Sequence, residues 1–97
     1  MLHTVNKSPF SSHSLDTALR FIRAGESVLL LEDGVYAAMA GTSYEKTILG
    51  LTGQNPVFAL SADVKARGIE NLVEGVEVVD YGKFVDLVSE NAVNTWL

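Results

Sequence analysis

Leu29-Leu30-Leu31-Glu32-Asp33-Gly34-Val35-Tyr36-Ala37-Ala38 is the most informative stretch of this chain. An unbroken apolar run ends at an acidic turn with a glycine, and small residues that favour a helix follow. Consecutive apolar residues from Val28 to Leu31 are typical of a strand buried on both faces, as strands of parallel sheets are. An Asp-Gly pair can also form a hairpin. Because no alternating strand follows, we predict a strand and then a helix.

Four apolar segments alternate with helical ones along the chain. The pattern predicts strands at 2–5, 28–31, 57–60 and 76–79, helices at 12–24, 35–40, 43–49, 61–67 and 80–90, and a tail at 91–97. Ser12 or Ser14 is expected to cap the first helix, Gly25 to end it, and Asp80 to cap the last one. The expected architecture is a three-layer α/β/α fold, with a parallel sheet of about four to five strands and helices on both faces, in a single domain spanning 1–97.

Charge and composition exclude several classes of protein. The net charge is −5 and the seven basic residues are spread along the sequence, so direct binding of nucleic acid is disfavoured, since it depends on clustered cations. The longest apolar run is far shorter than the ~20 residues that span a bilayer. The first residues lack the pattern of a secretion signal, and there is no cysteine. We expect a cytoplasmic location.

Motifs for catalysis, metals and nucleotides are missing. Neither GxGxxG, a P-loop nor GxSxG occurs, and His3 and His13 lack the spacing of metal ligands. Ser8 and Ser61 are best interpreted as turn and cap residues. We therefore expect no cofactor, no metal site and no catalytic residue.

Three residues could still act in a site or an interface. Asp33 could be an acid or base at a strand end, but capping the next helix is the favoured interpretation. Arg67, beside Gly68, could hold an anion or complement the dipole of a last helical turn. Trp96 is equally consistent with an interface anchor and with packing on its own domain.

Five segments in order carry a resemblance that covers nearly the whole chain. They are Leu2-His3-Thr4-Val5-Asn6-Lys7-Ser8-Pro9-Phe10, Leu30-Leu31-Glu32-Asp33-Gly34-Val35-Tyr36-Ala37-Ala38, Lys65-Ala66-Arg67-Gly68, Val79-Asp80-Tyr81 with Phe84-Val85-Asp86-Leu87, and Trp96-Leu97. Together they resemble the DsrH/TusB family, and the first segment is closer to the DsrH branch than to the TusB branch. Within these segments the candidate interface or ligand residues are His3, Lys7, Asp33, Gly34, Tyr36, Arg67, Gly68, Tyr81 and Trp96.

The resemblance implies a fold of the DsrE/DsrF/DsrH type and a place in a heterohexamer with DsrE/TusD-like and DsrF/TusC-like subunits. Such complexes hand sulfane sulfur to a DsrC/TusE-like acceptor, in sulfur oxidation or in thiolation of the tRNA wobble uridine. The principal sulfur-carrying cysteine belongs to the DsrE/TusD-like subunit. Some DsrH members carry a cysteine on the first helix, where this chain has Ala18.

A chain without a thiolate cannot accept or donate sulfane sulfur, since the relay proceeds through thiolates and thioethers cannot form a persulfide. We therefore predict a non-catalytic structural subunit. Two alternatives remain open. The chain could be a small-molecule or anion-binding domain that uses Asp33, Arg67 or Ser8, or a module that forms homo-oligomers when its partners are absent.

Overall fold

The computed structural model describes residues 1–97 as five strands, four α-helices and one 3₁₀ helix. The strands are β1 (Leu2–Val5), β2 (Ser27–Leu30), β3 (Val57–Leu60), β4 (Val76–Val79) and β5 (Val93–Trp96). The helices are α1 (Ser14–Leu19), α2 (Glu45–Thr52), α3 (Ser61–Ala66) and α4 (Tyr81–Glu90), and the 3₁₀ helix spans Glu32–Ala38 between β2 and α2. No helix is both long and apolar enough to cross a membrane.

All five strands are parallel and lie in the order β4-β3-β2-β1-β5. The predicted parallel α/β architecture is therefore confirmed, and the sheet has the upper number of strands expected. The prediction of a tail at 91–97 is wrong, because residues 93–96 form β5 on the open side of β1. The Leu2 N–H donates to the carbonyl of Ala92 at 2.8 Å and extends this pairing.

The helix boundaries differ from the predicted ones at α1, at the segment after β2 and at α2, which spans Glu45–Thr52 rather than 43–49. Helix α1 ends at Leu19 rather than near Ala24, so the prediction that Gly25 ends it is wrong. Neither serine caps it, because Ser12 Oγ accepts the N–H of Ser14. The chain after β2 forms a 3₁₀ helix from Glu32, not an α-helix from Val35. The predicted cap of α4 is confirmed, since Asp80 Oδ1 accepts the Lys83 N–H at 2.8 Å.

The two faces of the sheet are covered unequally. Strands β1 to β4 follow one another in one direction, so right-handed connections place α1, the 3₁₀ helix, α2 and α3 on one face. The step from β4 to β5 returns across the sheet and places α4 on the other. The first face buries a cluster of 14 apolar residues, which includes Leu15, Leu30 and Ile48. The α4 face buries five, which are Leu2, Leu29, Phe58, Val79 and Leu87.

Candidate functional site

The turn after β2 is fixed by contact with the end of β1. A Cβ added to Gly34 would lie 2.1 Å from the carbonyl oxygen of Val5, which is less than any atom can tolerate. That same oxygen accepts the Leu31 N–H at 3.1 Å. Only glycine therefore allows the start of the 3₁₀ helix to pack against the carboxyl end of β1, and the acidic turn is held at that edge of the sheet.

Arg67 joins this turn to the end of α3. Its Nε donates to Asp33 Oδ1 at 2.9 Å, and its Nη1 lies 3.4 Å from Asp63 Oδ1. Asp63 Oδ2 in turn accepts the backbone N–H of Glu32 at 2.7 Å. The hydrogen bond to Asp33 is the main cause that raises the pKa of Arg67 above its ordinary value, so the guanidinium stays charged.

The contacts of Arg67 with Asp33 and Asp63 change the roles expected of Asp33 and Arg67. Asp33 was expected to cap the next helix, but the 3₁₀ helix has no side-chain cap and Asp33 binds Arg67 instead. Arg67 was a candidate for holding an anion. Two carboxylates already surround its guanidinium, and an incoming anion would meet their repulsion. The geometry therefore favours a structural brace between α3 and the turn.

His3 and Trp96 meet on the face of the sheet that carries α1. The indole Nε1–H of Trp96 donates to His3 Nδ1 at 3.1 Å, and His3 Nε2 lies 2.9 Å from Glu26 Oε1. Because Nδ1 accepts, Nε2 must carry the ring proton and donate to Glu26. Trp96 also stacks on Phe21 with ring centroids 5.7 Å apart. Trp96 is thus packed on its own chain, although it is not fully buried.

Glu26 holds this arrangement from the turn before β2. Its Oε1 accepts the Arg23 N–H at 2.8 Å as well as the His3 proton. These two hydrogen bonds lower the pKa of Glu26 below its ordinary value of 4.5, and the bond from the Arg23 backbone has the larger effect. The buried amide of Asn55 donates to the carbonyls of Arg23 and Glu26 and fixes the same turn.

A cavity of about 240 Å³, which we call the α4 cavity, lies beside α4, at the carboxyl ends of β1 and β2 and along β5. Its apolar wall consists of Leu31, Phe84, Val88 and Val93, and its polar wall of Thr4, Asn6, Glu32 and Thr95. Asn6 is one of the lining residues, and its Oδ1 is the only buried side-chain oxygen or nitrogen of the chain that has no hydrogen-bond partner. Such orphan acceptors are rare in folded proteins, because each one costs free energy.

The candidate interface or ligand residues named from the sequence do not form one site, but lie in two separate groups or alone. Asp33, Tyr36 and Arg67 lie close together around the 3₁₀ helix. His3 and Trp96 form the second group. Gly68, with a φ of +64°, ends α3, whereas Lys7 and Tyr81 are exposed and belong to neither group.

Several residues that contact the candidate residues or line the α4 cavity were not identified from the sequence. Asp63 and Glu26 were not singled out, since each acts on a partner 23 or more positions away. Asn6 and Phe84 appeared only within the longer segments that carry the family resemblance. One signal could have pointed to the α4 cavity. A polar residue directly after a buried strand, as Asn6 is, often faces the edge where parallel sheets bind ligands.

Comparison with known proteins gives consistent matches along the chain. The model of a family described as "DsrH like protein" matches residues 7–94. Protein TusB of Pectobacterium carotovorum subsp. carotovorum is 39% identical over 92 residues, which are 94% of both chains. Protein TusB of Escherichia coli K12 is 35% identical over 88 residues, or 90% of both chains.

Two solved structures share the fold. The ychN protein from E. coli superimposes with a TM-score of 0.85 at 23% identity, covering 97% of both chains. The protein of unknown function MTH1491 from Methanobacterium thermoautotrophicum gives a TM-score of 0.73 at 20% identity, covering 97% of this chain and 96% of the other. At these identities the likeness supports the parallel α/β fold alone.

Proposed function

This chain belongs to the DsrH/TusB family, and from that premise we propose that it is a non-catalytic structural subunit of a sulfur-relay complex in the cytoplasm. The observation that carries the proposal is a family match over nearly the whole chain in a sequence that has no cysteine. Sulfane sulfur travels on thiolates, so in such a complex the sulfur would be carried by a companion subunit. The partners we propose are DsrE/TusD-like and DsrF/TusC-like subunits in a heterohexamer, with residues 1–97 as a single domain.

The contacts around the candidate residues support a structural role over a chemical one. Arg67 is paired with two carboxylates, and His3 is held between Glu26 and Trp96. Side chains that are saturated by neighbours brace a fold. Of the residues singled out in the sequence, we propose Lys7 and Tyr81 for contact with partners, because both are exposed and an exposure of 69% is high for an aromatic residue such as Tyr81.

Co-expression with the two partner subunits tests the assembly. We expect the chain to elute with both of them in size-exclusion chromatography, and we expect Tyr81→Ser to weaken that complex. Glu90→Gln, an exposed change at the other end of α4, is the matched control. Elution of the unaltered chain alone, beside partners that associate with each other, would refute the assembly.

Sulfur loading tests which subunit of the complex carries the sulfur. After treatment of the assembled complex with a sulfane sulfur donor, intact-protein mass spectrometry is expected to find added sulfur on the DsrE/TusD-like subunit and on a DsrC/TusE-like acceptor, and none on this chain. The pathway is assigned in the same assay by offering acceptors of the DsrC and TusE types separately. The His3 to Pro9 segment favours the DsrC type.

A further inference from the structure

We propose that the α4 cavity binds a small organic cation, in which a guanidinium or ammonium head is joined to a short apolar body. The inference is independent of the sulfur-relay role, because it rests on the walls of one cavity in the isolated chain. Three features of these walls point to that ligand, namely an unpartnered acceptor, an unpaired negative charge and an apolar lining.

The acceptor is the side chain of Asn6. Its Oδ1 is buried and has no hydrogen-bond partner in the protein. A carbonyl oxygen can only accept, so whatever satisfies it must bring an N–H or O–H group. A ligand that donates to Asn6 Oδ1 recovers the free energy that the orphan acceptor costs the protein, and a ligand that only accepts gains nothing there.

The negative charge is that of Glu32. It is exposed and is the only charged residue that lines the cavity, and its carboxylate takes part in no ion pair of the chain. Its backbone has a φ of +49°, in the left-handed region that side chains other than glycine rarely adopt. Asp63 holds it there by accepting its N–H. Residues kept in such conformations cluster at ligand-binding sites, and a free carboxylate selects a positive head.

The apolar residues of the lining favour a ligand with an apolar body. Leu31, Phe84 and Val88 form one wall, with the last two a single turn apart on the same side of α4. The volume of about 240 Å³ is below the range of sites for drug-sized ligands, and it suits a guanidinium group with a four-carbon chain. The cavity also adjoins the carboxyl ends of β1 and β2, and sheets of this class bind ligands beside such strand ends.

The experiment is a titration of the full chain with butylguanidinium, followed by amide chemical shifts in NMR. We expect changes centred on Asn6, Glu32 and Thr95. Butylurea, a neutral molecule of the same shape, is expected to bind about tenfold more weakly, and pentanoate, an anion, is expected to cause no change.

Two variants separate the roles of the walls. Asn6→Leu is expected to weaken butylguanidinium binding about tenfold without lowering the melting temperature, since it removes an unsatisfied acceptor. Glu32→Gln is expected to weaken binding of butylguanidinium and to leave that of butylurea unchanged. The matched controls are Asn94→Leu and Glu90→Gln, which lie outside the cavity and should bind as the unaltered chain does.

Each contrary result overturns the proposal. Shifts away from the cavity would show a different site. Equal binding of butylguanidinium and butylurea would remove the role of Glu32, and unchanged binding by a folded Asn6→Leu variant would remove the role of the orphan oxygen. If Asn6→Leu does not fold, the Glu32→Gln comparison decides alone.

Discussion

At the scale of single residues, one missing side chain sets the position of the acidic turn. Gly34 lies against the carbonyl of Val5 so closely that no other residue fits. The backbone there cannot retreat, because the same carbonyl accepts the Leu31 N–H and Arg67 ties Asp33 to α3. A glycine that a motif search would assign to an ordinary turn therefore determines how β1, β2 and the 3₁₀ helix meet.

Gly34→Ala is expected to destabilise the protein by about 3 kcal/mol or more, at the upper end of the cost of overpacking a core. Gly50 in α2 is the matched control, since a Cβ there meets nothing within 4 Å. Gly50→Ala should stabilise the protein by about 0.5–1 kcal/mol through the helix propensity of alanine. Urea denaturation measures both. Similar small effects at the two positions would contradict the close approach.

The pair of His3 and Glu26 makes stability depend on pH in the acid range. Hydrogen bonds from Arg23 and His3 lower the pKa of Glu26 in the folded state. A carboxyl whose folded pKa is depressed stabilises the fold above its unfolded pKa, and this contribution is lost as the pH falls through the folded pKa. We therefore expect Glu26→Gln to be less stable than the unaltered protein at pH 7, and this difference to shrink as the pH falls below about 4.5.

Thermal unfolding at a series of pH values measures this effect. Glu77→Gln is a suitable control, because Glu77 is exposed on β4 and forms no ion pair. The difference between Glu26→Gln and the unaltered protein should shrink toward acid pH, whereas that for Glu77→Gln should stay small throughout. A Glu26→Gln difference that is constant with pH would refute the linkage.

At the scale of elements, apolar runs identified the interior strands and polar caps identified α4. Val57–Leu60 is buried at every position, and Asp80 stands where a helix needs an acceptor. Strand β5 has the same length as the other strands and was missed because Val93–Trp96 has no fully buried residue and no apolar run. Its pairing depends on β1, 91 positions earlier in the chain. No local pattern carries that information, and the same holds for the α4 cavity.

Trp96→Ala is expected to weaken the attachment of β5 to β1. It removes the hydrogen bond to His3 Nδ1 and the stacking on Phe21. Since Trp96 is half-buried, the loss should be about 2–3 kcal/mol, below that of a fully buried aromatic residue. Asn94→Ala, exposed on the same strand, should change stability by about 0.5 kcal/mol or less. Denaturant unfolding followed by far-UV circular dichroism gives both values, and equal effects would contradict the assignment.

At the scale of the whole molecule, the order of the strands decides how well each face of the sheet is covered. Four helical segments bury one face, and the ten-residue α4 alone covers the other. Val85 and Val88 of α4 remain 47% and 39% exposed, because no second helix packs beside it. The α4 cavity belongs to this thinly covered face. The same topology that makes room for a ligand there also leaves α4 with little apolar contact to hold it.

Helix α4 should therefore open before the sheet does. Native-state hydrogen exchange is expected to show α4 amides exchanging through a partial opening of lower free energy than that of β1 and β2, since local stability follows buried apolar contact. Leu87→Ala should cost about 2–3 kcal/mol and accelerate exchange mainly within α4. Leu30→Ala, in the larger cluster, should cost about 4–5 kcal/mol and accelerate exchange everywhere. If α4 amides exchange only with global unfolding, α4 and the sheet form one cooperative unit and the unequal cover of the two faces has no energetic consequence.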